Sequence, residues 1–112
     1  MSRSPGQRIA DILEAIDRCQ RYVATLDSGD PDLAGMAEDA ITRNLQIIGE
    51  AANHLPLEVT AAHPEIGWPQ IRGFRNILVH HCFGVDTATV REVIHTHLPA
   101  LASALSEAEE KE

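Results

Sequence analysis

Hydrophobic residues recur at three- and four-residue steps along almost the whole chain, which is the spacing of one face of an α-helix. The first such stripe predicts an amphipathic helix over about residues 5–27, and the second predicts a helix from 31 to about 54. Between them, Asp30 suits an N-cap and Pro31 suits the first position of the second helix. Two long helices joined by so few residues are expected to run antiparallel.

The second half of the chain predicts two further helices and one short helical turn. The turn is expected over residues 57–62, and a third helix over about 69–82. A fourth helix should begin at Thr87 after an Asp86 cap, and Pro99 should bend it, because an interior proline removes a backbone donor and crowds the preceding turn. No stretch alternates as a strand would. The fold class predicted is therefore all-α, an up-down four-helix bundle with a short extra helical turn.

Length and composition favour one small domain without a membrane segment. A chain of 112 residues suits a single core, so residues 1–112 are expected to form one domain, with residues 106–112 as a frayed acidic tail. No run of 18 apolar residues occurs, and the N-terminus has no hydrophobic stretch typical of a secretory signal. Cys19 and Cys82 match neither a disulfide framework nor a metal-ligand spacing, which favours reduced thiols and a cytoplasmic location.

The charge distribution singles out one segment. The net charge is −8, which argues against a protein that coats nucleic acid generally. Residues 69–98 nevertheless carry a net charge of +1 and hold four of the six histidines. Eight of the nine basic residues are arginines, whose guanidinium forks suit phosphate. A compositional bias toward arginine would produce the same count without any functional meaning.

The same segment carries the strongest candidate chemistry. On a helix, Ile71, Phe74, Leu78 and Cys82 would face the core, while Arg72, Asn76 and His80 would line another side, with Arg75 at the edge. An arginine, a carboxamide and a group that titrates near neutral pH suit phosphate chemistry. Arg75 and His80 would lie about 140° apart on an ideal helix. They converge only if the arginine reaches round, the helix end deforms, or a second chain completes the site. Alternatively, Asn76 and His80 could simply hold the bundle together.

Weaker signals lie on the second helix and just before the third. Glu50 could pair with an arginine near the candidate site or could be solvated, and Arg43 could lie on either face. Gly49, flanked by small residues, would permit close approach of another helix. Trp68 is expected in the core or an interface rather than as a platform for base stacking.

Several sequence blocks resemble a known family. Arg75-Asn76-Ile77-Leu78-Val79-His80 is similar to the Arg-Asn-x-x-x-His motif of HEPN domains. The blocks Arg43–Ala52, His63–Trp68 and Phe83–Asp86 resemble the HepT toxins of MNT/HepT toxin–antitoxin systems. The resemblance covers about residues 5–105, in the same order and spacing.

The resemblance implies a homodimeric HEPN-type bundle that cleaves RNA without metal or cofactor. It places the catalytic residues at Arg75 and His80 and the orienting residue at Asn76. Arg72, from the polar stripe, is a further candidate contact to substrate. The resemblance also implies a cleft at the dimer interface. There the partner chain would supply the other side of the site, because Arg75 and His80 lie about 140° apart on one ideal helix. The implied partner is a cognate MNT-type nucleotidyltransferase antitoxin.

The chain departs from the family pattern at Cys82. The family has a tyrosine at that position, which the antitoxin modifies with AMP, whereas the one tyrosine here is Tyr22. The leading interpretation is a type VII-like RNase toxin. One alternative is a non-catalytic HEPN partner of a nucleotidyltransferase, which the Cys82 departure favours, and another is an adaptor that binds nucleotide or RNA without enzymatic activity.

Overall fold

A computed structural model describes residues 3–77 and 87–110, and within these ranges the regular structure is entirely helical. Helix α1 spans Pro5–Tyr22, and a 3₁₀ turn continues it over Val23–Asp27. Helix α2 spans Pro31–Ala52 and α3 spans Leu57–Ala61. Helices α4 and α5 span Trp68–Arg72 and Phe74–Ile77. Helix α6 spans Thr87–Glu92, a π turn follows over Val93–His97, and α7 spans Leu98–Glu110. The predicted all-α class is confirmed.

Both long helices begin at the residues that the sequence indicates. Ser4 caps α1 through a capping box, in which its Oγ accepts from the Gln7 amide at 3.1 Å and Gln7 Oε1 accepts from the Ser4 amide at 2.8 Å. Asp30 caps α2, with its Oδ1 2.9 Å from the Asp32 amide. Gly29 adopts a φ of 81° just before that cap, a conformation that glycine takes without steric cost.

The two long helices run antiparallel and form the main layer of the bundle. Tyr22 near the end of α1 lines a groove with Leu33 at the start of α2, whereas Arg8 and Glu50 line a second groove at the opposite end. The core between them and the later helices is aliphatic, with Trp68 and Phe74 added from α4 and α5. The Trp68 indole N–H donates to the carbonyls of Thr60 and His63, both at 3.0 Å, so this residue belongs to the core, as expected.

The third predicted helix differs from expectation because it is broken at Gly73. It begins at Trp68, one residue early, and ends its first segment at Arg72. Glycine is a poor helix former, and the Asn76 amide bonds the Gly73 carbonyl three residues back, which is 3₁₀ rather than α spacing. The expected continuation over residues 78–82 lies outside the described residues.

The fourth predicted helix is interrupted by the π turn before Pro99. The Leu98 amide bonds the carbonyl of Val93, five residues back, and Pro99 follows directly. Proline supplies no amide of its own and crowds the turn before it, so a wider turn accommodates its ring. The disturbance expected from Pro99 thus takes the form of a π turn.

The C-terminal segment is helical further than the sequence suggests. Helix α7 continues to Glu110, through most of the tail over residues 106–112 for which fraying is expected. Leu105 is fully buried and Ala108 packs against the core, so one face of this segment has apolar neighbours. That packing outweighs the acidic composition of the other face.

Candidate functional site

The first part of the candidate motif lies on the short helix α5. Arg75 and Asn76 are exposed there, directly after Phe74, which is 2% exposed and anchors the segment in the core. Ile71, 1% exposed, anchors α4 in the same way. His80 and Cys82, the other two motif positions, lie outside the described residues, as does His81.

Helix α5 rests directly on the backbone of α2 at Gly49. A Cβ atom added to Gly49 would lie 2.9 Å from the Arg75 amide nitrogen, 3.2 Å from the Arg72 carbonyl and 3.3 Å from the Ile71 carbonyl. Glycine is therefore required at this contact, which confirms the close approach expected from the sequence. Because Gly49 has no side chain, the backbone of Arg75 can lie in direct contact with α2.

Glu50, the next residue on α2, binds the Arg75 side chain. Its Oε2 is 2.9 Å from Arg75 Nη1, and its Oε1 is 3.1 Å from His54 Nε2. Of the two interpretations of Glu50, pairing with an arginine near the site is therefore correct. These side chains are about half exposed, so the ion pair contributes little to stability and mainly orients the guanidinium.

The hydrogen bonds to Glu50 also affect its charge. The Arg75 guanidinium, and to a lesser extent His54, hold the pKa of the Glu50 carboxyl below its ordinary value. A lowered pKa keeps the carboxylate ionised at neutral pH and through mild acid. The restraint on Arg75 therefore persists over the pH range in which a histidine titrates.

Of the candidate positions that the structure describes, Arg72 and Asn76 do not line a common groove as an ideal helix would predict. Arg75 and Asn76 line one groove together, whereas Arg72, half-buried at the end of α4, is not among the residues lining it. The break at Gly73 accounts for this separation, because it ends the regular helical phase between Arg72 and Asn76.

The groove beside Arg75 is open and has a volume of about 660 Å³. Helices α1, α2 and α5 all contribute to it, together with the residues just before α1. Its polar and charged lining residues are Arg3, Arg8, Asp11, Arg43, Gln46, Glu50, Arg75 and Asn76. A groove lined by guanidinium and carboxamide groups can bind an anion such as phosphate.

The sequence analysis did not identify Arg8 as a residue of this groove, and it left open which face of α2 carries Arg43. Arg43, Gln46 and Glu50 follow one another at three- and four-residue steps, so the spacing alone places Arg43 on the face of α2 that carries Glu50. Arg8 offered no comparable signal, because its contribution depends on the packing of α1 against α2.

Two kinds of feature are absent from residues 3–77 and 87–110. These residues contain no cluster of three or more histidine, cysteine, aspartate or glutamate side chains placed to hold a metal ion. No helix in these ranges has the length and hydrophobicity needed to cross a membrane.

The chain matches the family model described as "Ribonuclease HepT-like" over residues 12–108. It is 32% identical over 101 residues to "Probable ribonuclease HepT" of Thermococcus cleftensis, covering 90% of this chain and 92% of that relative. It is 33% identical over 90 residues to "Gamma-glutamylcyclotransferase and putative RNase MJ0434" of Methanocaldococcus jannaschii, covering 80% of this chain and 40% of that longer protein.

A third relative, "Putative RNase TTE0752" of Caldanaerobacter subterraneus, is 38% identical over 73 residues, which is 65% of each chain. No solved structure gives a significant match. The match to the family model spans the bundle from α1 to α7, including Glu50, Arg75 and Asn76. The chain therefore belongs to the HepT-like ribonuclease family.

Proposed function

We propose that this protein is a metal-independent endoribonuclease toxin of a type VII-like toxin–antitoxin system. The observation that carries the proposal is the oriented Arg75 guanidinium, which lies beside Asn76 in an open groove of a chain whose family is named for ribonuclease activity. A nucleotidyltransferase antitoxin would neutralise it. The site would comprise Arg75 and His80 as catalytic residues, with Asn76 and Arg72 binding or orienting substrate.

The proposed chemistry uses the nucleophile that RNA itself carries. The 2′-hydroxyl oxygen attacks the adjacent phosphorus while His80 accepts its proton, and the bond from phosphorus to the 5′ oxygen breaks. That leaving oxygen takes a proton from a general acid, for which His80 of a second copy is the candidate. Arg75 stabilises the charge that develops on the non-bridging oxygens. The products are a 2′,3′-cyclic phosphate and a 5′-hydroxyl.

Incubation of the purified chain with a defined RNA in excess EDTA tests this function. We expect cleavage with a 2′,3′-cyclic phosphate end, because the proposed mechanism needs a 2′-hydroxyl and no metal ion. The same sequence made as DNA should remain intact. An absolute requirement for a metal ion, or cleavage of DNA at a similar rate, would contradict the mechanism.

The active form is proposed to be a homodimer in which the two motifs face each other. Arg75 and His80 are five residues apart, which is about 140° on an ideal helix, so one chain alone does not readily bring them together. Static light scattering at micromolar concentration should give about twice the mass of one chain. A monomer that cleaves RNA at the full rate would rule out a composite site.

Regulation by AMP transfer is expected to differ from the family scheme. Cys82 occupies the position of the family's modified tyrosine, and a thiol differs from a phenol as an acceptor. We expect a partner nucleotidyltransferase with ATP to add no AMP to Cys82 and to inhibit by stoichiometric binding instead. Intact-mass spectrometry measures this directly, and Cys82→Tyr should gain the mass of AMP from a partner that retains transferase activity. AMP mapped to the Cys82 peptide of the unmodified sequence would refute the expectation.

The Cys82 departure also favours a second candidate function. In that alternative, the chain is a non-catalytic HEPN partner that binds a nucleotidyltransferase and leaves RNA intact. Tight binding of the partner without any RNA cleavage by the free chain would identify it.

A further inference from the structure

The groove beside Arg75 carries more positive charge than the candidate motif requires. Four arginines and two carboxylates line it, although the chain as a whole has a net charge of −8. Two of the arginines are neutralised within the groove. Arg3 binds Asp11 at two points, at 2.7 and 3.0 Å, and Arg75 binds Glu50 at 2.9 Å.

The other two arginines of the groove are Arg8 and Arg43. Within residues 3–77 and 87–110, neither forms an ion pair with a carboxylate, and Arg43 donates only to the neutral Gln46 side chain at 3.2 Å. Arg8 comes from α1 and Arg43 from α2, so two helices bring these charges into a groove that Arg75 completes from α5. Pairing takes one of the five guanidinium N–H donors of Arg75 and two of those of Arg3, whereas Arg8 and Arg43 give none to a carboxylate of the described residues.

We propose that Arg8 and Arg43 bind backbone phosphates of single-stranded RNA beside the phosphate that is cleaved at Arg75. This inference rests on the proposed ribonuclease function, because it takes the groove as the path of the substrate. The planar guanidinium fork matches pairs of phosphate oxygens, and backbone phosphates recur along RNA whatever its sequence. Arg8 and Arg43 therefore set affinity and position along the groove without reading the bases.

The acidic remainder of the chain strengthens this assignment. Residues outside the groove repel a polyanion, so a strand bound at Arg75 is held by the few positive charges that it can reach. Removal of Arg8 and Arg43 should therefore weaken binding strongly, and it should leave the bond-breaking step almost unchanged because Arg75 and Asn76 are untouched.

The test compares the unaltered chain with the double variant Arg8→Gln/Arg43→Gln. For cleavage of a short single-stranded RNA, we expect KM to rise roughly tenfold, because hydrogen bonds from charged groups to phosphate are lost. The kcat of the variant should stay within a factor of about two of the kcat of the unaltered chain. The slope of log affinity against log salt should become shallower by about 0.7 for each phosphate that the variant no longer neutralises. Arg21→Gln is the matched control, because Arg21 lies on α1 outside the groove and pairs with Asp17 at 3.0 Å.

A binding measurement separates this inference from the proposed activity. Fluorescence anisotropy with a 2′-O-methyl oligonucleotide, which lacks the nucleophilic hydroxyl, reports affinity without cleavage. Weaker binding by the double variant, with a shallower salt slope, supports the phosphate assignment even if no RNA is ever cut. Unchanged affinity and salt slope overturn it. Unchanged RNA affinity together with failure to bind a nucleotidyltransferase also overturns it, and assigns the two arginines to the protein partner instead.

Discussion

Arg75→Ala should lower the rate of RNA cleavage by about 10²- to 10³-fold, the usual effect of removing one group that stabilises developing negative charge. The decrease should appear in kcat, because Arg75 is expected to stabilise the five-coordinate phosphorus of the transition state more than it stabilises the bound substrate. His80→Ala should cost about 10²- to 10⁴-fold, as expected for a general acid or base. Single-turnover kinetics in EDTA measure both effects without interference from product release.

Matched variants make the Arg75 result specific. Arg75→Lys keeps the positive charge but not the fork, so it should recover only part of the rate. Arg21→Ala removes an exposed arginine of α1, outside the groove, and should leave the rate unchanged. If two copies of His80 share the acid and base roles, the rate should follow a bell-shaped pH profile around the ordinary histidine pKa of about 6.5. Normal cleavage by both Arg75→Ala and His80→Ala would disprove the mechanism.

Gly49→Ala should both destabilise the bundle and impair catalysis, although Gly49 has no side chain to contact substrate. Its new methyl group would lie 2.9 Å from the Arg75 amide nitrogen, so α5 must move away from α2. Overpacking of this kind costs about 1–3 kcal/mol, or roughly 4–12 °C in Tm for a chain of this size. Displacement of a catalytic group by about 1 Å can cost about 10²-fold in rate. Thermal unfolding followed by circular dichroism, together with the RNA assay at a temperature where the variant is folded, measures both effects.

Gly35→Ala is the natural control for this substitution. Gly35 lies on the same helix, and a Cβ atom there would meet nothing within 4 Å. Alanine at that exposed position should raise stability by about 0.5–1 kcal/mol, because it reduces the entropy that the backbone loses on folding. Equal melting temperatures and full activity for Gly49→Ala and Gly35→Ala would show that the close approach of α2 and α5 does not position Arg75.

Much of the fold is predictable from local signals in the sequence. The caps at Ser4 and Asp30 and the apolar stripes of α1 and α2 depend on residues within a few positions of one another. The break at Gly73 was not predicted, because a single glycine inside a helical pattern is often tolerated. The extent of the helix beyond Ser106 could not be predicted for another reason, since it involves the packing of Ala108 against distant parts of the core.

Some residues of the candidate site can likewise be predicted from nearby sequence, whereas others join it only through the packing of distant segments. The motif residues Arg75 and Asn76 stand out in the sequence, and the pairing of Arg75 with Glu50 could be named as one of two options. The groove that adds Arg8 could not be found from spacing, because α1 meets α2 only through the packing of the whole bundle. Arg72 is grouped with Asn76 by ideal helical phase, whereas the break at Gly73 leaves it outside the groove that Asn76 lines, and its role stays a prediction.

The π turn before Pro99 makes the packing of the last helix depend on the number of residues rather than only on their type. Val93 and Leu98 are both buried, although positions five apart would face about 140° away from each other on an uninterrupted α-helix. The wider turn takes up one residue more than an α-helical turn would. Removing one residue from it would restore regular winding and place Val93 and Leu98 four residues apart, about 40° on an α-helix, so both would still face the core. The buried stripe of Leu98, Leu101 and Leu105 would then keep its direction, so a deletion here should do less harm than one inside α7, where each lost residue rotates the following residues by about 100°.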